Sequence, residues 1–269
     1  MFNYYEIPAD KRYADYLNKF WVIDQSLSAL PGEDKYALPN GSVTLVFITG
    51  TGVILQNAQG TIAVKTGIYL VGQLSTRMQV TVQPYTKVVG AQLTPWAACF
   101  ITNLPMVEVT DNLVDISLIN KHLYQHFNTI NIADDAMLVP AFYKALDNYN
   151  GATGSVGLVK GVVNMFTKGL DDEPLKITDI AAGTGYSKRY IEKKFLLHTG
   201  FSPKQLYTVL RVRHLVDILQ EHPDNLSLTR LALHGGFYDQ SHFIKAYTGI
   251  MQSQPGKFDA DNYILPLNE

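Results

Sequence analysis

The sequence predicts an α+β multidomain chain: a β-rich N-terminal barrel or sandwich, then an all-α domain of two helix-turn-helix units. Three observations carry this reading. Residues 20–95 hold short apolar or β-branched runs separated by turn residues, the spacing of an all-β sandwich or barrel. Residues 180–203 and 231–255 repeat one order of small, glycine, aromatic and proline positions. Charge is also uneven. The formal net charge is -2, yet residues 1–174 hold 11 Lys+Arg against 15 Asp+Glu, whereas residues 175–258 hold 11 against 6. Five of the seven histidines fall in that second stretch, and such asymmetry hints at a polyanion-binding module.

The strand candidates are Phe20–Ile23, Val43–Ile48, Val53–Leu55, Ile62–Val64, Ile68–Val71, Val80–Val82 and Val88–Leu93. Between them lie Pro31-Gly32, Pro39-Asn40-Gly41, Thr49-Gly50-Thr51-Gly52 and Asn57-Ala58-Gln59-Gly60. From Leu113 onward the β signal fades, and Ile116–Phe127, Asp134–Tyr149 and Ser155–Lys168 carry helical periodicity, interrupted at Asn150-Gly151. Gly169–Pro174, with Asp171-Asp172-Glu173, is the linker candidate. The expected domains are therefore 1–112 (β-rich), 113–174 (helical connector and linker) and 175–262 (double helix-turn-helix).

Composition excludes several classes. With 46% hydrophobic and 17% charged residues the chain can build a core and is not intrinsically disordered. No apolar run approaches the roughly 18 residues of a membrane span. The start, Met1-Phe2-Asn3-Tyr4-Tyr5-Glu6, lacks the basic-then-apolar design of a secretory signal. Cys99 is the single cysteine, so no intramolecular disulfide or cysteine-based zinc site can form. A soluble cytoplasmic protein without membrane contact is expected.

Ile180-Ala181-Ala182-Gly183-Thr184-Gly185-Tyr186 aligns with Leu231-Ala232-Leu233-His234-Gly235-Gly236-Phe237 at an offset of 51. Phe195 and Pro203 align with Tyr247 and Pro255 at an offset of 52. A small Ala lets the first helix approach the second, and Gly185 or Gly236 permits the sharp turn. Ser187 and Asp239 are placed to cap the second helices. Ile191 with Phe195, and Phe243 with Tyr247, then point inward. Lys188, Arg189, Glu192 and Lys193 are left outward in the first copy, and Gln240, Ser241, His242 and Lys245 in the second. These side chains suit base edges in a major groove. Between the copies, Ser202 caps a helix opening at Pro203 and running to about Gln220 before His222-Pro223. Its length, about 27 Å, approaches the roughly 34 Å between successive major-groove segments on one DNA face.

Over residues 175–258 the sequence resembles the AraC/XylS family of transcription regulators. The matching residues are Ile180-Ala181, Gly185-Tyr186-Ser187, Ile191, Phe195, Gly200-Phe201-Ser202-Pro203, Arg211, Ala232, Gly236-Phe237, Gln240-Ser241, Phe243, Tyr247 and Pro255. The resemblance implies a DNA-binding unit with base-facing Arg189, Glu192 and Lys193 in the first recognition helix, and Gln240, Ser241 and Lys245 in the second. Double-stranded DNA is the partner so implied, with a small-molecule effector, a homodimer and RNA polymerase as further candidate partners. Two departures weaken the second motif's grip on phosphate: Thr248-Gly249 replaces a basic pair, and Gln252-Ser253-Gln254-Pro255 replaces a Gly-containing corner. The N-terminal half, with Pro39-Asn40-Gly41-Ser42 and Pro95, loosely resembles the cupin-like barrel of many such regulators.

The competing reading is a small-molecule-binding or enzymatic cupin-like barrel whose C-terminal helices are scaffold; a third is a non-specific architectural DNA binder. A cupin metal site needs about three histidines and a carboxylate, and residues 1–121 contain no histidine, so no metal, cofactor or enzymatic activity is expected. His122 and His126 lack an intervening His-Glu-x-x-His glutamate and read as structural or surface residues. Gly183-Thr184-Gly185-Tyr186-Ser187-Lys188 lacks the ending of a phosphate loop. Cys99 reads as a small buried hydrophobe. Trp21, Tyr36, Tyr69, Tyr85 and Trp96 are either pocket lining or ordinary core. The duplicated motif favours the regulator, and the Gln, Ser and Glu side chains favour base reading over phosphate neutralisation alone.

Overall fold

Residues 43–49 and 87–93 are apolar or small at most positions, as strands covered on both faces must be. The computed structural model describes residues 3–148, 157–170, 175–221 and 227–264. Its strands are β1 (Tyr4–Pro8), β2 (Leu17–Asp24), β3 (Lys35–Ala37), β4 (Val43–Thr49), β5 (Val53–Asn57), β6 (Gly60–Val64), β7 (Gly67–Val71), β8 (Met78–Val82), β9 (Lys87–Leu93) and β10 (Leu113–Asp115). They form two antiparallel sheets, ordered β1-β2-β9-β4-β7-β10 and β3-β8-β5-β6. Both sheets stay open, so of the two architectures expected the sandwich forms and the closed barrel does not.

The helices are α1 (Ala97–Thr102), α2 (Ile116–Ile119), α3 (Lys121–Phe127), α4 (Asp135–Asn148), α5 (Gly157–Lys168), α6 (Ile177–Thr184), α7 (Lys188–Thr199), α8 (Pro203–Glu221), α9 (Leu228–His234) and α10 (Gln240–Met251). One face of the large sheet carries Phe20, Val22, Leu45, Phe47, Leu70 and Ala91, which pack against Leu123, Phe127 and Phe142 of the connector helices. The alternate residues, Ile23, Val46, Ile48 and Val88, face Val53, Leu55, Val80 and Val82 of the small sheet. A third core joins α5 to α6–α10.

Three strands escaped the sequence reading. β1 and β10 are the two edges of the large sheet and β3 an edge of the small one. The β signal does not end at Leu113: residues 113–115 pair with β7, and Asp115 then caps α2 by accepting from the Ser117 amide. Ile116–Phe127 is two helices divided at Asn120, whose side chain caps the second. The Asn150-Gly151 break and residues 171–174 of the linker lie outside the described residues, as does His222-Pro223.

Close approach within the large sheet depends on one glycine. Gly90 on β9 lies opposite Trp21 on β2, and a Cβ there would stand only 2.0 Å from the indole ring. The Gly90→Ala variant should therefore lose about 1–3 kcal/mol of stability through overpacking. Urea denaturation measures this, and a loss below about 0.5 kcal/mol would mean that the indole moves freely aside.

Candidate nucleic-acid interface and ligand cavity

Both second helices of the duplicated motif form as their caps require. In the first copy Gly185 ends α6 at φ 72 and its amide donates to the Ala181 carbonyl. The Ser187 hydroxyl accepts from the Tyr190 amide and starts α7. In the second, Gly236 takes φ 62, Phe237 N–H donates to Ala232 O, and the Asp239 carboxylate accepts from the His242 amide at 2.7 Å. Ile191, Phe195, Phe243 and Tyr247 are all fully buried.

Lys188, Arg189, Glu192 and Lys193 are exposed on α7, and Gln240, Ser241, His242 and Lys245 are exposed on α10. Each quartet thus shares the solvent face of one helix. Gln240 is also tied to its own motif, its Oε1 accepting from Thr229 on α9 at 3.2 Å. Sequence reasoning assigned no contact role to three tyrosines beside these groups. Tyr186 and Tyr190 stack at 5.1 Å on the surface of the first motif, with Lys194 above Tyr190, and Tyr238 is 89% exposed before α10.

Arg211, which the resemblance supplied without a role, is buried on α8. Its Nε donates to the Gly235 carbonyl, and its guanidinium lies 3.7 Å from the centre of the Phe237 ring. It thereby fixes the turn of the second motif onto α8. Burial lowers its pKa from the ordinary value.

The N-terminal domain holds both motifs. Against the first, the Phe100 ring of α1 stacks on His198 of α7 at 5.1 Å, and Thr110 Oγ1 donates to Gly200 O at 3.2 Å. Against the second, Arg77 N–H donates to Ile250 O at 2.9 Å, while its guanidinium covers Tyr36 and donates to the Tyr263 hydroxyl. Tyr263 bridges to Tyr36 of β3, extending the small sheet. Cys99 is only partly buried here, less enclosed than the core residue expected from sequence, and burial raises its thiol pKa.

A cavity of about 610 Å³ opens between the two sheets and α8. Register explains its floor. Across the large sheet one row reads Glu6, Trp21, Gly90, Val46, and the next reads Lys19, Gln92, Thr44, Val71, Leu113. The small sheet contributes Val53, Leu55, Met78 and Val80, and α8 contributes Arg213, Asp217, Gln220 and Glu221. Of the five aromatic candidates, Trp21 alone lines this space. Tyr36 lies beneath Arg77, Tyr69 folds over Gly67, Tyr85 is exposed at φ 57, and Trp96 donates its indole N–H to Asp15 O. Among the described residues no His/Cys/Asp/Glu group is arranged to hold a metal, and no helix is long and apolar enough to cross a membrane. His122 and His126 lie on α3 with ring centroids 4.4 Å apart.

Residues 180–261 match a family described as a helix-turn-helix domain, and residues 5–115 match a domain of unknown function, DUF6597. The HTH-type transcriptional regulator GlxA of Rhizobium meliloti (strain 1021) is 32% identical over 85 residues, which is 32% of this chain and 26% of that protein. The chain thus spans about a quarter of the length of this curated relative. A probable AraC family transcriptional regulator from Rhodopseudomonas palustris CGA009 is 27% identical over 37% of this chain and 92% of its own, with a TM-score of 0.34. ToxT from Vibrio cholerae covers 96% of both chains at 14% identity, with a TM-score of 0.47.

His198 makes the seam with the N-terminal domain sensitive to acid. Burial first, and the Lys194 charge second, hold its pKa below the ordinary imidazole value. The unfolded chain therefore binds the proton at higher pH, so stability is complete above about pH 6.5 and falls as pH drops through the folded-state value. His198→Phe should flatten that part of the stability–pH curve; an unchanged slope would assign the acid sensitivity to other groups.

Proposed function

With a C-terminal domain of the AraC type of helix-turn-helix as premise, we propose that the chain is a sequence-specific, ligand-responsive transcription regulator. The observation that carries this is the duplication itself: two capped, glycine-turned motifs, each leaving a polar quartet exposed on its second helix. In this reading residues 1–112 sense, 113–174 connect and 175–262 bind DNA. Arg189, Glu192, Lys193, Gln240, Ser241 and Lys245 read bases, with Lys188 and His242 at the edge of the contact. The cavity is the effector site, placed where a ligand touches both the sheets and α8.

Binding rather than catalysis is the role assigned to the cavity, whose described lining contains no histidine or cysteine. The protein acts in the cytoplasm, where its DNA is. Association with a second copy or with RNA polymerase belongs to the same reading and rests on family resemblance alone.

Selection of bound sequences from random duplexes with the full chain should recover a preferred site with two segments about one helical turn apart. Arg189→Ala or Gln240→Ala should then relax preference at particular bases, each costing roughly 1–3 kcal/mol of discrimination. Affinity should fall steeply with salt, as counterion release requires. Recovery of no preferred site, or uniform weakening by Arg189→Ala without a change of preference, would contradict the assignment.

A further inference from the structure

The charges around the cavity narrow the class of effector, on the premise that the cavity is the effector site. Its described lining holds two cations, Lys19 and Arg213, and three carboxylates, Glu6, Asp217 and Glu221. Both cations already face a carboxylate of the same wall. Lys19 Nζ lies 2.6 Å from Glu6 Oε1, and Arg213 Nη2 lies 2.7 Å from Asp217 Oδ1. The Tyr4 hydroxyl donates to Glu6 as well, at 2.5 Å. Glu221, one turn beyond Asp217 on α8, adds negative charge that no lining cation balances.

An acid entering this corner meets Lys19 and Arg213 already neutralised by Glu6 and Asp217, and brings a fourth negative charge beside three carboxylates. An ammonium head meets the opposite situation: Asp217 and Glu221 accept from it without loss of an existing pair. Trp21, directly across the β1–β2 ladder from Glu6, lines the same cavity. Beyond this corner most of the wall is valine, isoleucine and leucine from both sheets, with Thr44 and Gln92 among them. We infer that the cavity takes an amphipathic amine, with its apolar body between the sheets and its ammonium group toward Asp217 and Glu221 of α8.

Octylamine, octanol and octanoate share one apolar chain and differ only in the head, so they test this on the full-length protein at pH 7. Calorimetry should rank them amine, alcohol, acid, with the amine at least about tenfold tighter than the alcohol. Asp217→Asn with Glu221→Gln should bring the amine down to the alcohol's affinity and leave the alcohol unchanged. The Trp21 indole N–H signal in NMR should shift with each ligand that binds, and Val46→Trp, which fills the cavity, should abolish binding. Binding of octanoate as tightly as octylamine overturns the head-group assignment while the cavity remains the effector site. Failure of all three probes to move the Trp21 signal overturns both.

Discussion

Helix α8 has nineteen residues and must satisfy neighbours on several sides at once. Near its start, Leu206 and Leu210 meet the loop before β4, where Gly41 at φ 76 leaves no room for a Cβ beside Leu210. In its middle, Leu215 underlies Gly235 in the turn of the second motif, and Arg211 grips that turn's carbonyl. Its last turns form one wall of the cavity. A helix so enclosed cannot keep a single apolar stripe, which is why Arg211 is buried among Leu206, Val209, Val212 and Leu215. The buried charge is tolerable because it meets the negative C-terminal end of α9 and an aromatic face.

The same enclosure organises the joint between the domains. The N-terminal domain touches the C-terminal end of each motif's second helix: Phe100 and Thr110 at the end of α7, Arg77 at the end of α10. In both cases the polar quartet begins at the opposite, capped end, which stays exposed. Clamping by the C-terminal ends therefore fixes the helices without covering the groups proposed to read DNA. Beyond α10 the chain returns to β3 through Tyr263 and Ile264, and Ile264 lines the cavity. The cavity is thus bordered by the helix before the second motif and the segment after it.

The helix-turn-helix pair was legible because its constraints are local. A cap is one side chain and one amide a few residues away, so Ser187 and Asp239 announce their helices in the sequence. The interior strands were legible because a strand buried on both faces is apolar or small over most of its length, as β9 is from Val88 to Ala91. Edges were not. β1 reads Tyr-Tyr-Glu-Ile-Pro, β3 and β10 have three residues each, and their pairing depends on partners far along the chain. The cavity was hidden for the same reason: only register reveals that Glu6, Trp21 and Lys19 share one face. Of the candidate site, the exposed quartets followed from helical phase, whereas the exposed Tyr186–Tyr190 stack and the clamp by Arg77 needed coordinates.

A ligand regulates only through a difference in its affinity for two arrangements of the protein. In the proposed regulator the available differences are set by which contacts share its cavity. The α7 end is held by Phe100 and Thr110, neither of which lines the cavity, so occupancy leaves that contact unaltered in the first instance. Arg213, Asp217 and Ile264 do line it, and all three belong to segments flanking the second motif. Ligand binding therefore bears first on where α9 and α10 sit relative to the N-terminal domain. The charge pattern fits this division. α7 carries Lys188, Arg189, Lys193 and Lys194, partly offset by Glu192, whereas α10 contributes only Lys245. Phosphate attraction grows with the number of charges neutralised, so the first motif supplies most of the sequence-independent grip. In the proposed regulator the second, weaker in charge and adjoining the cavity, is the motif that an effector would reposition while the first keeps the protein on DNA.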